Sequence, residues 1–345
     1  QRACREDVVV FDQTSFAKFA LKGPDALTAL DWICANNVRR PVGSLTYTQM
    51  LNDQGGIEAD LTVARVADDE FYIVTGTGFA SHDFDWIRRN IPSGANAQLF
   101  DVTSAYSVLT LMGPASRSIL STVTAADLSN EAFPFGTFQT IGIAGCPVRA
   151  LRITYMGELG WELHLPVEYA PNVYDTLMSA GAEHGLTNAG YRAIESTRLE
   201  KGYRAWGSDI GPDHTPIEAG LGWAVKTKSG IAFRGREAIE AQRAGGVRKL
   251  LAAFTVDPSV VGRDVILLGR ETIYRDGERV GWLTSGGYGY TIGRSIGYGY
   301  VRNPAGLDAQ WVLAGAYELE VAGERVPATV SLQPLYDPTN ARVKA

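Results

Sequence analysis

Cysteine, histidine and methionine are scarce in this 345-residue chain, at three, four and four residues. Cys4, Cys34 and Cys146 are odd in number, widely spaced and never in a CxxC pair. That excludes a disulfide framework and fits a reducing compartment. His82, His164, His184 and His214 never stand at i, i+4 with one another or beside a cysteine, so no zinc or iron site is expected. No apolar run approaches the ~20 residues that span a bilayer, so no membrane segment is expected. No basic run could track a phosphate backbone, which argues against nucleic acid. The net charge of −6, with both signs interleaved, mainly aids solubility. No G-x-G-x-x-G follows a strand pattern, and neither a G-x-S-x-G elbow nor a P-loop occurs, so this chain alone should not hold FAD or NAD on a Rossmann fold. The chain opens on Gln1 without an initiator methionine or a signal-peptide pattern; the expectation is that it was processed or belongs to something longer.

Glycine, by contrast, is abundant at 38 residues and implies many tight turns and substantial β content. The length accommodates two or three domains. Residues 1–247 mix strand and helix patterns. A strand, a Gly-Pro break and a helix occupy 16–35, and the same layout returns at 108–121, as in two similar α/β halves. Glu70–Thr75 reads as a strand and Gly78–Asn90 as a helix; a further helix is expected from about Ala170 to His184. Residues 248–345 hold short strand patterns separated by glycine turns, the signature of a small barrel or sandwich. The Gly-Tyr-rich stretch Ser285–Tyr300 reads as barrel strands and turns rather than a phosphate loop. A domain boundary is placed near 247.

Three segments could carry chemistry. Tyr191–Leu221 begins as a highly charged helix and breaks through Gly207, Gly211 and Pro212 into a polar loop with Asp209, Asp213 and His214. Polar loops on rigid scaffolds are where binding sites usually sit. In Asn52–Val66 a Gly55-Gly56 turn precedes a strand that places Ile57, Leu61 and Val63 on one face and Glu58, Asp60 and Thr62 on the other. Asp60 is then either part of a solvated face or a fixed carboxylate at the end of a hairpin. In Arg152–Leu165 the alternation puts Glu162 and His164 opposite Trp161, Leu163 and Leu165, with Tyr155 before a glycine-containing turn. This reads as an ordinary half-buried hairpin, or as an aromatic and a carboxylate that hold a flat heterocycle. A carboxylate accepts two parallel hydrogen bonds from adjacent ring N–H and amino donors, the edge that a 2-amino-4-oxo pterin offers.

NDQGGIEADL, TYMGELGWELHLP and RLEKGYRAWGSDIGPDHTPIEAGL, in this order, resemble the folate-binding aminomethyltransferase (glycine cleavage T-protein) family over essentially the whole chain. REDVVVFDQTSFAKF, ADLSNEAFPF, GLTNAGYRAIES and EKGYRAW are most similar to the subgroup formed by the C-terminal halves of sarcosine and dimethylglycine dehydrogenases. The resemblance implies an α+β fold of three lobes around a central folate site: an aminomethyltransferase-like domain over 1–247, made of two sub-lobes, and a C-terminal antiparallel β-barrel over 248–345. It implies Asp60 as the catalytic carboxylate and Tyr47, Tyr155 and Glu162 as folate contacts. Where the T-protein has Ala-Arg-Asp this chain has Ala193-Ile194-Glu195, and Arg342 stands in place of a tyrosine, so Arg192 or Arg342 is expected to take over the folate tail.

The function so implied is the tetrahydrofolate part of a flavin-dependent N-methylglycine dehydrogenase, which captures an iminium or formaldehyde carbon as 5,10-methylenetetrahydrofolate. FAD would enter only through a domain or subunit absent from this chain, in bacterial cytoplasm or mitochondrial matrix. One rival is a stand-alone aminomethyltransferase or demethylase. Another is a non-enzymatic folate-binding protein; relatives of that kind carry Lys-Gly-Cys, whereas this chain has Lys201-Gly202-Tyr203.

Overall fold

In the computed structural model, which describes residues 1–345, the chain opens with a short helix α1 (Arg2–Glu6) and strand β1 (Val9–Asp12). Strand β2 (Ala17–Lys22) turns at Gly23-Pro24 into helix α2 (Ala26–Ile33). The hairpin β3 (Leu45–Leu51) and β4 (Ile57–Arg65) follows, then β5 (Glu70–Thr75), helix α3 (Ala80–Asn90) and β6 (Gln98–Asp101). These strands make a five-stranded sheet in the order β3-β4-β5-β2-β6.

The layout then returns. Strand β7 (Tyr106–Met112) turns at Gly113-Pro114 into α4 (Ser116–Val123), followed by β8 (Phe138–Ile143), β9 (Cys146–Leu151), β10 (Gly160–Pro166), α5 (Ala170–Gly181) and β11 (Thr187–Asn188). With β1 they form a six-stranded sheet, β11-β1-β7-β10-β9-β8. The two Gly-Pro turns match in detail: Gly23 has φ +132° and Gly113 +134°. A Cβ on Gly23 would lie 2.3 Å from the Asn96 carbonyl oxygen, and one on Gly113 2.5 Å from that of Asp7. Each glycine thus lets a strand turn into its helix directly over a neighbouring backbone, a path closed to residues with a side chain.

Each sheet buries one face under its own helices. Phe19, Leu21, Leu61 and Ile73 pack with Leu30 and Ile87, and Trp161, Leu163 and Leu165 with Ile119, Leu120 and Leu177. Fully buried side chains of this size are each worth about 1.5–3 kcal/mol. The remaining two faces look at one another across Leu45, Ala64, Tyr72 and Val74 of the first sheet and Leu151 of the second.

Helix α6 (Tyr191–Lys201), a long loop and helix α7 (Arg236–Gly245) lead to a closed barrel. Its strands are β12 (Val247–Val256), β13 (Thr272–Arg275), β14 (Glu278–Gly289), β15 (Arg294–Leu307), β16 (Tyr317–Val321) and β17 (Glu324–Ser331). The barrel matches the expected architecture, but β14 and β15 are long, at 12 and 14 residues, where the glycines predicted short strands. Glycines here bend strands rather than end them: Gly286 pairs directly with Gly297, so the hairpin coils without a side-chain clash. The Ser285–Tyr300 stretch therefore lies in and between these two strands.

The shared Gly-Pro geometry is testable. Gly113→Ala should destabilise the chain by about 1–3 kcal/mol in urea unfolding, because both the φ value and the Asp7 carbonyl oppose a Cβ. An unchanged midpoint would contradict the close approach.

Candidate functional site between the two sheets

Cross-strand register decides which residues face the gap. Asp60 sits opposite Gln49 and Thr62 opposite Tyr47, while Thr62 also pairs with Val74, a residue of the inter-sheet core. Residues directly opposite in a ladder share a face. Tyr47, Gln49, Asp60 and Thr62 therefore all point toward the second sheet. The Tyr47 hydroxyl donates to Asp60 Oδ2 at 2.9 Å. Asp60 is ringed by protein but keeps some accessible surface. Burial pushes its carboxyl up to about 6, against the Tyr47 hydrogen bond, which favours the ionised form; the nearby Asp83 adds to the rise. Burial also raises Tyr47 well above its ordinary value, so it stays a donor. Gln49 is fully buried beside them; its amide makes no hydrogen bond of good geometry, although it lies close enough to the Tyr47 hydroxyl to oppose the rise there. Buried orphan amides cost about 1–3 kcal/mol each and call for an explanation.

The second sheet answers with Glu162, opposite both Thr110 and Leu151 and hence on the face turned to the first sheet. Thr110 Oγ donates to Gln13, whose amide nitrogen is likewise buried without a partner. Tyr155 lies in the connection between β9 and β10. Its hydroxyl donates to the Arg204 carbonyl at 2.9 Å, and its ring stacks on Tyr203 at 6.0 Å and 13°. Burial raises the Tyr155 hydroxyl, Arg198 opposes the rise, and Asp60 is near enough for its charge to add to it. Trp223, 70% exposed, lies 6.0 Å from the Tyr47 ring.

The charged helix and its loop form the third wall. Asp209, 1% exposed, accepts from Arg198 at 2.7 Å and from Thr284 and Ser285, each at 2.6 Å, so it ties α6 to the barrel. The loop also caps the β3–β4 hairpin: Trp206 Nε1 donates to the Ile57 carbonyl at 3.0 Å, and the Ile57 N–H donates to His214 at 3.0 Å. His214 stacks on Tyr300 at 4.4 Å, and burial lowers its imidazole to about 4, so it is a neutral packing group here.

Tyr47 and Asp60 are in direct contact, Tyr155 is near enough for the Asp60 charge to act on it, and Glu162 faces the same gap from the second sheet. Neither of the two expected arginines is bonded to any of these four. Arg192 is exposed on the first turn of α6 and makes no ion pair, and Arg342 reaches Glu158 at 3.2 Å and the Arg5 carbonyl. Sequence reading missed Gln49, whose position opposite Asp60 emerges only from strand register. It gave His164 a face but no role.

The arrangement is a gap between two sheets, lined by carboxylates and walled by the α6 loop and the barrel. Two family profiles match the chain: the GCVT N-terminal domain over residues 1–229 and the glycine cleavage T-protein C-terminal barrel domain over 249–337. The chain belongs to the glycine cleavage T-protein family. It is 44% identical to mitochondrial sarcosine dehydrogenase of Mus musculus over 99% of its length, yet covers 38% of that relative. It is 34% identical to an aminomethyltransferase of Halothermothrix orenii, covering 94% of this chain and 88% of the relative. The crystal structure of the glycine cleavage system aminomethyltransferase T from Bartonella henselae superposes with a TM-score of 0.84 at 26% identity, over 98% of this chain and 88% of that one.

The shift at Asp60 has a definite sign. Its folded value, about 6, exceeds the ordinary 3.8, so the stability it contributes is fully present below about pH 4 and lost as pH rises through 6. Asp60→Asn should therefore be more stable than the parent at pH 7, by up to about 3 kcal/mol, and equal to it below pH 4 in urea unfolding. Tyr47→Phe removes a hydrogen bond to the carboxylate and should move the Asp60 titration above 6 by NMR. A downward move would contradict the geometry.

Proposed function

We propose that this chain is the tetrahydrofolate-binding, one-carbon transfer part of an N-methylglycine dehydrogenase of the sarcosine or dimethylglycine type. The observation that carries the reading is the orphaned Gln49 amide, buried beside the Asp60–Tyr47 pair and facing the sheet that bears Glu162. A reduced pterin carries ring N–H and amino donors and a carbonyl acceptor. That is the complement of a carboxylate and an unpaired amide. Bound tetrahydrofolate supplies nucleophilic nitrogens that take up a carbon at the oxidation level of formaldehyde.

The chain's own residues would then divide the work. Glu162 accepts from the pterin edge and fixes its orientation. Tyr155, backed by Tyr203, offers a flat apolar surface. Asp60, with its carboxyl near 6, changes protonation close to neutral pH, which suits a group that takes a proton from nitrogen. Its negative charge in a partly dry gap stabilises a cationic iminium far better than in water. Holding the reactants between two sheets lowers the entropic part of the barrier. Arg192, exposed and without an ion pair, is the cation free to meet the anionic folate tail, whereas Arg342 is engaged with Glu158.

The dehydrogenase reading is favoured over a stand-alone aminomethyltransferase by the higher identity, 44% against 34%. The chain spans 38% of the length of that dehydrogenase, so the amine-oxidising flavin chemistry is assigned to a partner domain or subunit. No helix is long and apolar enough to cross a membrane. The compartment we assign is mitochondrial matrix or bacterial cytoplasm.

Titration calorimetry with tetrahydrofolate should show micromolar binding, weakened about 30-fold or more by Glu162→Ala, the loss of hydrogen bonds to a charged group. Asp60→Ala should keep the fold and abolish folate-dependent capture of formaldehyde. Unchanged binding in the first variant, or normal capture in the second, would overturn the assignment.

A further inference from the structure

Two residues along β10 from Glu162, His164 shares its face and is fully buried. Its Nε2 lies 3.4 Å from Glu162 Oε2, and its Nδ1 lies 3.1 Å from the hydroxyl of Tyr72, on β5 of the opposite sheet. The imidazole meets the Tyr72 ring edge-on at 5.5 Å and 87°. Tyr72 is itself held between Tyr106, at 5.7 Å, and the guanidinium of Arg149, at 5.0 Å. Three polar groups thus form one line across the gap between the sheets, ending on the carboxylate assigned to the pterin.

Proton accounting fixes how the line is wired. Burial lowers the His164 imidazole, with Lys18 and Arg149 in the same sense and Glu162 opposing, so the ring is neutral and carries a single N–H. Burial raises the Tyr72 hydroxyl, which keeps its proton and donates. Tyr72 O–H therefore points at Nδ1, and the imidazole proton sits on Nε2, aimed at Glu162. Each contact then has one donor and one acceptor. The Nε2 contact is long for a hydrogen bond, so its value is directional more than energetic.

We propose that His164 is a positioning residue for ligand binding: it holds Glu162 Oε2 through Nε2–H and leaves Oε1 to the incoming heterocycle, with Tyr72 setting the tautomer from the facing sheet. The proposal rests on the reading that Glu162 receives the folate ring. Oε1 has no partner in the structure, whereas Oε2 has only His164. Without His164 the carboxylate would be free to rotate, and its alignment would be lost before the ligand arrives.

A double-mutant cycle tests this on the 345-residue chain, with tetrahydrofolate as titrant. His164→Leu should weaken binding about tenfold, and His164→Gln, whose amide can reach the Nε2 position, should recover part of that loss. In a Glu162→Ala background, which lacks any acceptor for Nε2–H, the His164→Leu change should have little further effect. An equal loss in both backgrounds would mean that His164 acts through the fold, and would overturn the proposal. So would parent-like binding by His164→Leu while Glu162→Ala is impaired, a result that leaves the folate reading intact. Parent-like binding by Glu162→Ala would instead remove that reading and this proposal with it. If His164→Leu does not fold, Tyr72→Phe serves in the same cycle. Loss of the tautomer-setting donor should then weaken binding about threefold in the parent and not in the Glu162→Ala background.

Discussion

A single buried carboxylate joins the parts that build this site. Asp209 accepts from the Arg198 guanidinium on α6, from Thr284 and Ser285 on β14 and from the Ala205 N–H, while its own carbonyl receives the Tyr300 hydroxyl of β15. An ion pair taken this far from water costs desolvation energy that its own attraction barely repays. What makes it tenable is saturation: both oxygens are satisfied by short hydrogen bonds, and Arg198 has Glu195 as a second partner. The value lies in geometry. The loop that caps the β3–β4 hairpin starts at Ala205, so the position of Trp206 over Ile57 follows from where Asp209 sits. A hydrophobic replacement could match the stability but would not dictate the angle between barrel and sheets.

The gap itself inverts the usual logic of packed sheets. Two inner faces would normally close on apolar side chains, and in part they do, through Leu45, Val74 and Leu151. Beside that contact the same faces carry Asp60 and Gln49 on the first sheet and Glu162, directly opposite Leu151, on the second, with Gln13 bonded to Thr110. The cost is visible as a carboxyl raised to about 6 and as orphaned amides. The outer faces pay for it: clusters of twenty and fifteen buried hydrophobic residues lie between the sheets and their helices, on the side turned away from the gap. Stability and function are thus assigned to opposite faces of the same strands, which the period of two in a strand makes possible.

That division explains what could be read in advance. Strand and helix positions, the Gly-Pro repeat, the barrel and the Asp60 and Glu162 faces follow from local periodicity and turn residues, all within a few positions in sequence. Lys18 shows the limit. In Phe16–Leu21 it reads as the polar side of an alternating strand, yet it is fully buried, its ammonium capped by the Thr14 and Tyr106 carbonyls and lowered by burial to about 8. Those acceptors lie 4 and 88 residues away, and no pattern in the strand announces the distant one. Gln49 and the Tyr72–His164 contact are hidden for the same reason: their meaning depends on pairing between strands and sheets.

Arg342, expected to help hold a folate tail, has partners of its own within the chain. A cation near the C-terminus is a reasonable substitute for a missing folate contact. Here Glu158, 1% exposed, already draws Arg5 at 3.0 Å, Arg342 at 3.2 Å and the Tyr336 hydroxyl at 2.6 Å. Arg5 also bridges to Glu200 at 2.8 Å, and Lys201 pairs with Asp337 at 2.9 Å. The C-terminal tail is therefore fastened to α1, to the β9–β10 connection and to α6 by alternating charges. Turning Arg342 toward a ligand would strip one of the cations from a buried carboxylate and loosen the tail. Arg192 carries no such obligation, because its guanidinium is exposed and unpaired, and a bound anion would cost it only water.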